Sequence, residues 1–255
     1  MLCDVTERAA GVVTAVFGPL VRVQVGEDAL VVPFRRTLHW AEGIADRRLV
    51  VGDRVALEGK PPDSIVTGVE ARRTTLTRRS PGERRSRVIA ANVDQAVVVM
   101  AAVSPEPNPR LLDRFLVACN HAGIEPVICF NKVDQGTAGI DAWIGDYVDA
   151  GYELLLASAR TSRGVGCLTR KVAGRTTLFP GVREFGFWDL APSELQAYFP
   201  EIARAAAGCS FADCTHESEA ACAVRDAAQS GKLSARRYTS FLKLRQELEA
   251  TADRA

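Results

Sequence analysis

The chain has 255 residues, a formal net charge of +1 and 47 % hydrophobic residues, the composition of an ordinary globular protein. Its bulk charge names no polyanionic partner, and its length allows one large domain or two to three small ones. No apolar run approaches the ~20 residues of a membrane span and Met1-Leu-Cys-Asp4 opens no signal peptide, so the expectation is a cytoplasmic chain with no membrane partner.

Residues 10–70 carry five short β-rich runs, at 12–17, 20–25, 30–34, 54–58 and 65–70. The turn signals Gly18-Pro19, Gly26-Glu27-Asp28, Gly52-Asp53 and Pro61-Pro62-Asp63 separate them. Five strands in so short a span predict a closed all-β barrel of the OB type over residues 1–72. Such barrels bind oligonucleotides, and they also serve as protein-docking modules; the fold alone leaves both open.

Residues 73–87 read as a linker, because Ser80-Pro81-Gly82 breaks any helix there. Around it Arg72, Arg73, Arg78, Arg79, Arg84, Arg85 and Arg87 face one acid, Glu83. A charge run is commonly a solvated segment. Here it consists of arginine alone, whose planar fork pairs with phosphate, and it adjoins the barrel, so RNA-backbone contact is the favoured reading.

From Val88 the pattern becomes α/β. A hydrophobic strand at 95–101 precedes the turn-rich Ser104-Pro-Glu-Pro-Asn-Pro109, and a helix at 110–121 follows with apolar positions 111, 112, 115, 116 and 119. Gly123 ends that helix. Pro126-Val-Ile-Cys-Phe-Asn-Lys-Val-Asp134 is then an almost wholly apolar run ending in polar residues, which predicts a strand buried on both faces of a parallel sheet. A helix at 138–150 and a strand at 153–157 continue the β-α-β-α-β series.

Ligands of open α/β sheets bind beyond the carboxyl ends of the strands, where Asn131, Lys132 and Asp134 fall. N-K-x-D is the base-reading motif of GTP-binding proteins, and its chemistry suits the task. The Asp carboxylate accepts from guanine N1–H and the 2-amino group, the Lys stem lies over the ring, and Asn bridges neighbouring loops. Adenine offers no matching donors and leaves the carboxylate unpaired. Ser158-Ala159, one crossover later at a strand end, stands where a second guanine contact belongs, with its backbone N–H aimed at O6.

Seven cysteines is an odd number. Cys3, Cys119, Cys129 and Cys167 are scattered, whereas Cys209, Cys214, His216 and Cys222 form C-x4-C-x-H-x5-C. That pattern suits a reduced compartment with one metal site. Three thiolates and one imidazole complete a tetrahedral Zn²⁺ shell, and a closed shell is structural. Glu217 and Glu219 read as solvated. Pro192-Ser-Glu-Leu-Gln-Ala-Tyr-Phe199 predicts a short helix, and 222–230 and 234–250 predict two more. On these Arg236, Arg237, Lys243 and Arg245 either meet RNA or face solvent.

The chain resembles the circularly permuted, small-ribosomal-subunit-dependent biogenesis GTPases of bacteria. The resemblance rests on Arg78-Arg-Ser-Pro-Gly82, Val88-Ile-Ala-Ala-Asn-Val-Asp-Gln95 and Pro107-Asn-Pro-Arg-Leu-Leu-Asp-Arg-Phe-Leu116. It continues through Gly123-Ile-Glu-Pro-Val-Ile-Cys-Phe-Asn-Lys-Val-Asp134, Arg183-Glu-Phe-Gly-Phe-Trp-Asp-Leu190 and the cysteine cluster. It implies a multidomain protein: the barrel, a GTPase domain whose guanine motifs precede its phosphate motifs (here 88–180), and a zinc-bearing helical domain (here 181–255). It further implies a late small-subunit maturation factor that binds rRNA and uses GTP, GDP and Mg²⁺; the chain is expected to be a monomer.

One departure stands out. The family carries a P-loop, G-x-x-x-x-G-K-S, a switch segment and a D-T-P-G turn after a strand resembling Gly174-Arg-Thr-Thr-Leu-Phe179. Here Phe179 meets Pro180-Gly181-Val182-Arg183 directly, and Gly-Lys occurs only at 59–60 and 231–232, followed by Pro and Leu. The central domain therefore reads as a truncated α/β remnant holding the guanine-specificity half, with no phosphate cradle and no catalytic residue to name. Truncation also predicts apolar sheet surface left uncovered. Three outcomes follow from this reading: a biogenesis factor with a guanine site, a nucleotide-independent RNA-binding remnant, or a working GTPase whose gene reading is interrupted at the Phe179–Pro180 junction.

Overall fold

The computed structural model describes residues 8–61, 63–78, 87–180 and 190–252. They form two compact units, Met1–Asp94 and Gln95–Ala255.

The first unit is built on β1 (Arg8–Phe17), β2 (Leu20–Val25), β3 (Asp28–Trp40), β4 (Arg54–Glu58) and β5 (Ile65–Val69), closed in the order β1-β2-β3-β5-β4. Alternation drives closure. Val21 and Val23 on β2, Val55 and Leu57 on β4, and Val66 on β5 turn inward and are almost water-free, while Arg22 points out. Gly52 permits the tight approach after residue 50. Its φ is +90°, and a Cβ there would lie 1.8 Å from the Ala91 carbonyl oxygen.

The segment read as a linker begins and ends in strands. β6 (Thr75–Arg78) pairs antiparallel with β7 (Arg87–Ala91). The arginines hid the threonine-rich run Thr74-Thr75-Leu76-Thr77, whose β-branched threonines favour a strand and whose Leu76 is buried. The Asn92 side chain fastens the base of this ribbon, accepting from Arg73 N–H at 2.8 Å and donating to the Gly52 carbonyl at 3.0 Å.

The second unit is a parallel sheet of β8 (Gln95–Ala101), β9 (Glu125–Asn131), β10 (Glu153–Leu156) and β11 (Thr177–Leu178), in the order β10-β9-β8-β11. Helices α1 (Pro109–His121) and α2 (Asp141–Ala150) cover one face through Leu112, Phe115, Leu116 and Tyr147 against Val98, Ile128 and Phe130. Helix α3 (Val165–Val172) covers the other, with Leu168 and Val172 on Val97, Val127 and Cys129. β9 is thus buried on both sides, as its unbroken apolar run requires. On β8 Val99 is 45 % exposed, and Phe179 just past β11 is 52 % exposed, so apolar sheet surface does remain uncovered here.

A 3-10 helix at Pro192–Tyr198, α4 (Pro200–Ala206), α5 (Ala223–Gln229) and α6 (Ala235–Ala252) make the terminal module. Its core joins Leu195, Phe199, Ile202, Val224, Phe241 and Leu244, and Val117 of α1 enters the same cluster. The module and the sheet therefore share one compact unit. No described helix is long and apolar enough to cross a membrane.

Candidate functional site

β9 and β10 run parallel, so their carboxyl ends deliver two loops side by side. Asn131 ends β9, and its Oδ1 accepts from Lys132 N–H at 2.7 Å and from Ala159 N–H at 3.1 Å. One amide oxygen thereby ties the first loop to the second. Lys132 takes a left-handed backbone, φ 67°, and sends Nζ to the Ser104 carbonyl at 2.6 Å. Asp134 follows on a 3-10 turn, Val133–Gln135, with its side chain 8 % exposed.

Ser158 is fully buried, and its hydroxyl donates to Asp134 Oδ1. Arg160 donates to Asp134 Oδ2 from Nε at 2.8 Å and from Nη2 at 2.5 Å. The Ser158 hydroxyl, and then the Arg160 guanidinium, hold the Asp134 carboxyl below the usual carboxylate range. The structure thus brings Asn131, Asp134, Ser158 and Ala159 together with an ionised carboxylate at the centre. One detail differs from the sequence reading: the Ala159 N–H is directed at Asn131. Arg160 was missed altogether, although its place directly after Ser158-Ala159 is a usable signal.

The second loop depends on Gly164, the residue capping the start of α3 at φ +72°. A Cβ there would lie 2.0 Å from the Leu156 carbonyl oxygen. Next to it the Arg163 carbonyl accepts from Ser158 N–H at 2.8 Å, so the crowded glycine and the Ser158 loop are one piece.

The other candidate site is Cys209, Cys214, His216 and Cys222, whose donor atoms all lie within 4.8 Å of one another. His216 Nδ1 lies 3.6 Å from Cys209 Sγ and 3.4 Å from Cys222 Sγ, and the two sulfurs are 4.0 Å apart. Bonds of ~2.3 Å to sulfur and ~2.0 Å to nitrogen place tetrahedral ligands just under 4 Å apart, so this donor set fits a metal. His216 Nε2 meets Gln196 Oε1 at 2.8 Å, which fixes the proton on Nε2 and leaves Nδ1 as the ligand atom. The loop is held open by left-handed backbone at His216 (φ 65°) and Ala221 (φ 57°). Without a cation, burial and the facing Cys222 and Cys209 thiols push the Cys214 thiol up to about 12. A metal ion reverses that balance by stabilising the thiolates. Glu219 is no ligand; it accepts from Thr215 N–H at 2.6 Å and from the Thr215 hydroxyl, which hold its carboxyl down to about 2.

Several arginines prove to be structural. Arg72, read as a phosphate contact, has a side chain only 4 % exposed. It pairs through Nε with Asp53 Oδ1 at 2.8 Å and through Nη2 with the Arg48 carbonyl at 2.6 Å. The fully buried Asp53 claims it, so Arg72 leaves the RNA-facing set. Arg73 is 56 % exposed and paired with Asp94 at 2.8 Å. Arg87 is exposed at the start of β7, and Arg78 ends β6. Arg79, Arg84 and Arg85 lie outside the described residues. On α6, Arg237 is 1 % exposed and bound to Asp113 and Glu201, Arg236 pairs with Asp146 at 2.8 Å, and Arg245 pairs with Glu249 at 2.9 Å. Of the four cations weighed for RNA on that helix, Lys243 alone is left exposed, and Arg237 is excluded outright.

The chain matches the RsgA GTPase family over residues 69–186. It is 32 % identical over 272 positions to the small ribosomal subunit biogenesis GTPase RsgA of Gemmatimonas aurantiaca, covering 84 % of this chain and 88 % of that protein. The chain belongs to the RsgA GTPase family. The protein of the same name from Yersinia enterocolitica is 28 % identical over 275 positions, with 82 % and 78 % covered. Among solved structures, YloQ, described as a circularly permuted GTPase, superposes with a TM-score of 0.79 at 25 % identity, covering 100 % of this chain and 99 % of that one. YjeQ from Thermotoga maritima shares the fold, with a TM-score of 0.77 at 23 % identity over 95 % and 99 % of the two chains. RsgA family members are ribosome-biogenesis GTPases, and the circularly permuted order described for YloQ matches a chain whose N-K-x-D loop precedes the end of its sheet.

Proposed function

We propose that this chain serves small-subunit biogenesis by docking on ribosomal RNA, and that it reads guanine through Asn131, Lys132, Asp134, Ser158 and Ala159 without hydrolysing GTP itself. The observation that carries the guanine reading is the ionised Asp134, gripped by buried Ser158 beside a loop tied through Asn131. Such a carboxylate is built for a ligand with two adjacent donors. Lack of hydrolysis follows from the missing P-loop, since phosphoryl transfer depends on a backbone cradle, a lysine and a Mg²⁺-binding hydroxyl. The alignment with the Gemmatimonas protein supports this: its 272 positions exceed the 255 residues of the chain, so that protein carries residues without a counterpart here.

In this reading the metal is one Zn²⁺, held by Cys209, Cys214, Cys222 and His216 Nδ1, and its role is structural. RNA docking uses the barrel and the arginines at 78, 79, 84, 85 and 87. A second reading, docking without any nucleotide, is favoured by one observation: Arg160 already satisfies Asp134.

Single-turnover GTP hydrolysis with purified small subunits tests the proposal. Background rates are expected, and a subunit-stimulated rate overturns it. Binding to small-subunit RNA is expected to weaken steeply with salt. Replacing Arg78, Arg79, Arg84 and Arg85 with Ala is expected to flatten that slope by about 0.7–0.9 per lost phosphate contact. Unchanged affinity in that variant would mean that those four arginines make no phosphate contacts.

A further inference from the structure

Arg160 satisfies Asp134 in a particular way. Two neighbouring N–H groups on one edge of its planar guanidinium converge on the carboxylate. Guanine offers the same pattern, N1–H beside the 2-amino group. The Ala159 N–H, the donor suited to O6, is likewise taken by an amide oxygen, Asn131 Oδ1 at 3.1 Å. The unliganded loops thus reproduce the donor and acceptor pattern of the base from their own atoms.

We propose that Arg160 competes with guanine for Asp134 and so sets the threshold at which a guanine base is accepted. This inference rests on the guanine reading above. Arg160 and Ser158 differ in what they can yield. Ser158 is wholly buried and its backbone N–H is bound to Arg163, so it stays with Asp134 Oδ1 when a base enters. The Arg160 side chain is 72 % exposed on a loop and swings into water at little cost. Guanine displaces it because it supplies the two donors that Asp134 loses. A base lacking that pair would leave a shielded carboxylate uncompensated. The competitor also keeps Asp134 paired while the site is free of base.

The test is titration of the full chain with guanosine, a neutral probe free of phosphate contributions. Parent, Arg160→Ala and Asp134→Ala proteins are followed by calorimetry at two salt concentrations, with thermal melts confirming equal folding. Arg160→Ala is expected to bind guanosine about two- to fivefold tighter, the range of an exposed ion pair. Parent affinity is expected to rise from low salt to ~0.5 M as salt screens the competitor, while the Arg160→Ala affinity stays flat. Equal or weaker binding by Arg160→Ala, with binding abolished in Asp134→Ala, overturns the competitor and leaves the guanine site standing. Guanosine binding that is absent throughout, or indifferent to Asp134→Ala, overturns the guanine reading and the competitor together.

Discussion

Arg237 Nη1 lies 2.5 Å from Asp113 Oδ1, joining side chains that are 1 % and 0 % exposed and 124 positions apart in the chain. Arg237 also donates from Nε to Glu201 at 2.7 Å, and its guanidinium stacks 4.5 Å from the Phe199 ring centre. One cation thus bonds α1 of the sheet layer to α4 of the terminal module, among aromatic rings that exclude water. Removing one partner of such a cluster strands a buried charge. Arg237→Met is expected to destabilise the second unit by about 3–5 kcal/mol, because Asp113 and Glu201 both lose their cation. Asp113→Asn is expected to cost less, since Glu201 still neutralises Arg237. Urea unfolding of both variants checks the order.

The same cluster gives an alkaline signature. Burial pushes the Tyr152 hydroxyl up to about 12, with nearby Arg237 pulling the other way. The unfolded value is about 10. A raised folded value means that the native state holds the proton longer. The contribution is complete below about pH 10 and is lost as pH rises through about 12. Unfolding free energy is expected to fall across that window, and Tyr152→Phe is expected to flatten the fall.

Gln196 orients His216 from outside the metal shell. Gln196→Ala is expected to lower metal affinity about 10- to 100-fold, read by competition with a chromogenic chelator, while stoichiometry stays at one. The Cys214→Ser, His216→Ala double variant removes two of four ligands and is expected to retain no metal by elemental analysis.

Gly164 offers a test of loop geometry separate from charge. Gly164→Ala drives a Cβ against the Leu156 carbonyl at a left-handed φ. A loss of at least ~1 kcal/mol is expected, together with weaker guanosine binding, because the adjacent Arg163 carbonyl anchors Ser158.

Which of these features were legible in the chain follows from how local their causes are. The barrel strands, α1 and β9 announce themselves through period-2 and period-3.6 patterns that need no partner. Predicted strands at 12–17 and 30–34 lengthen to Arg8–Phe17 and Asp28–Trp40 because ladder pairing extends past the apolar cores. The expected helix at 138–150 starts only at Asp141, since 137–140 closes a turn, with Ile140 N–H donating to the Thr137 carbonyl. Helix α3 sets Val165, Leu168 and Val172 at i, i+3 and i+7, a helical stripe, but its eight residues are shorter than the window over which such a period declares itself. Arg72 and Arg237 were read as facing phosphate or solvent because their carboxylates, Asp53 and Asp113, come close only after folding. A long-range ion pair leaves no local pattern.

Asp113 also has a place in time. The chain grows from its N-terminus, so β8, α1, β9, α2 and β10 leave the ribosome before α6 exists. The loops carrying Asn131, Asp134 and Ser158 can be assembled at that stage, while Asp113 on α1 still lacks the arginine that will neutralise it. Every molecule passes through an interval in which the strands leading to Asn131, Asp134 and Ser158 are made but the sheet layer holds a carboxylate awaiting Arg237. Synthesis of α6, which brings Arg237, closes that interval.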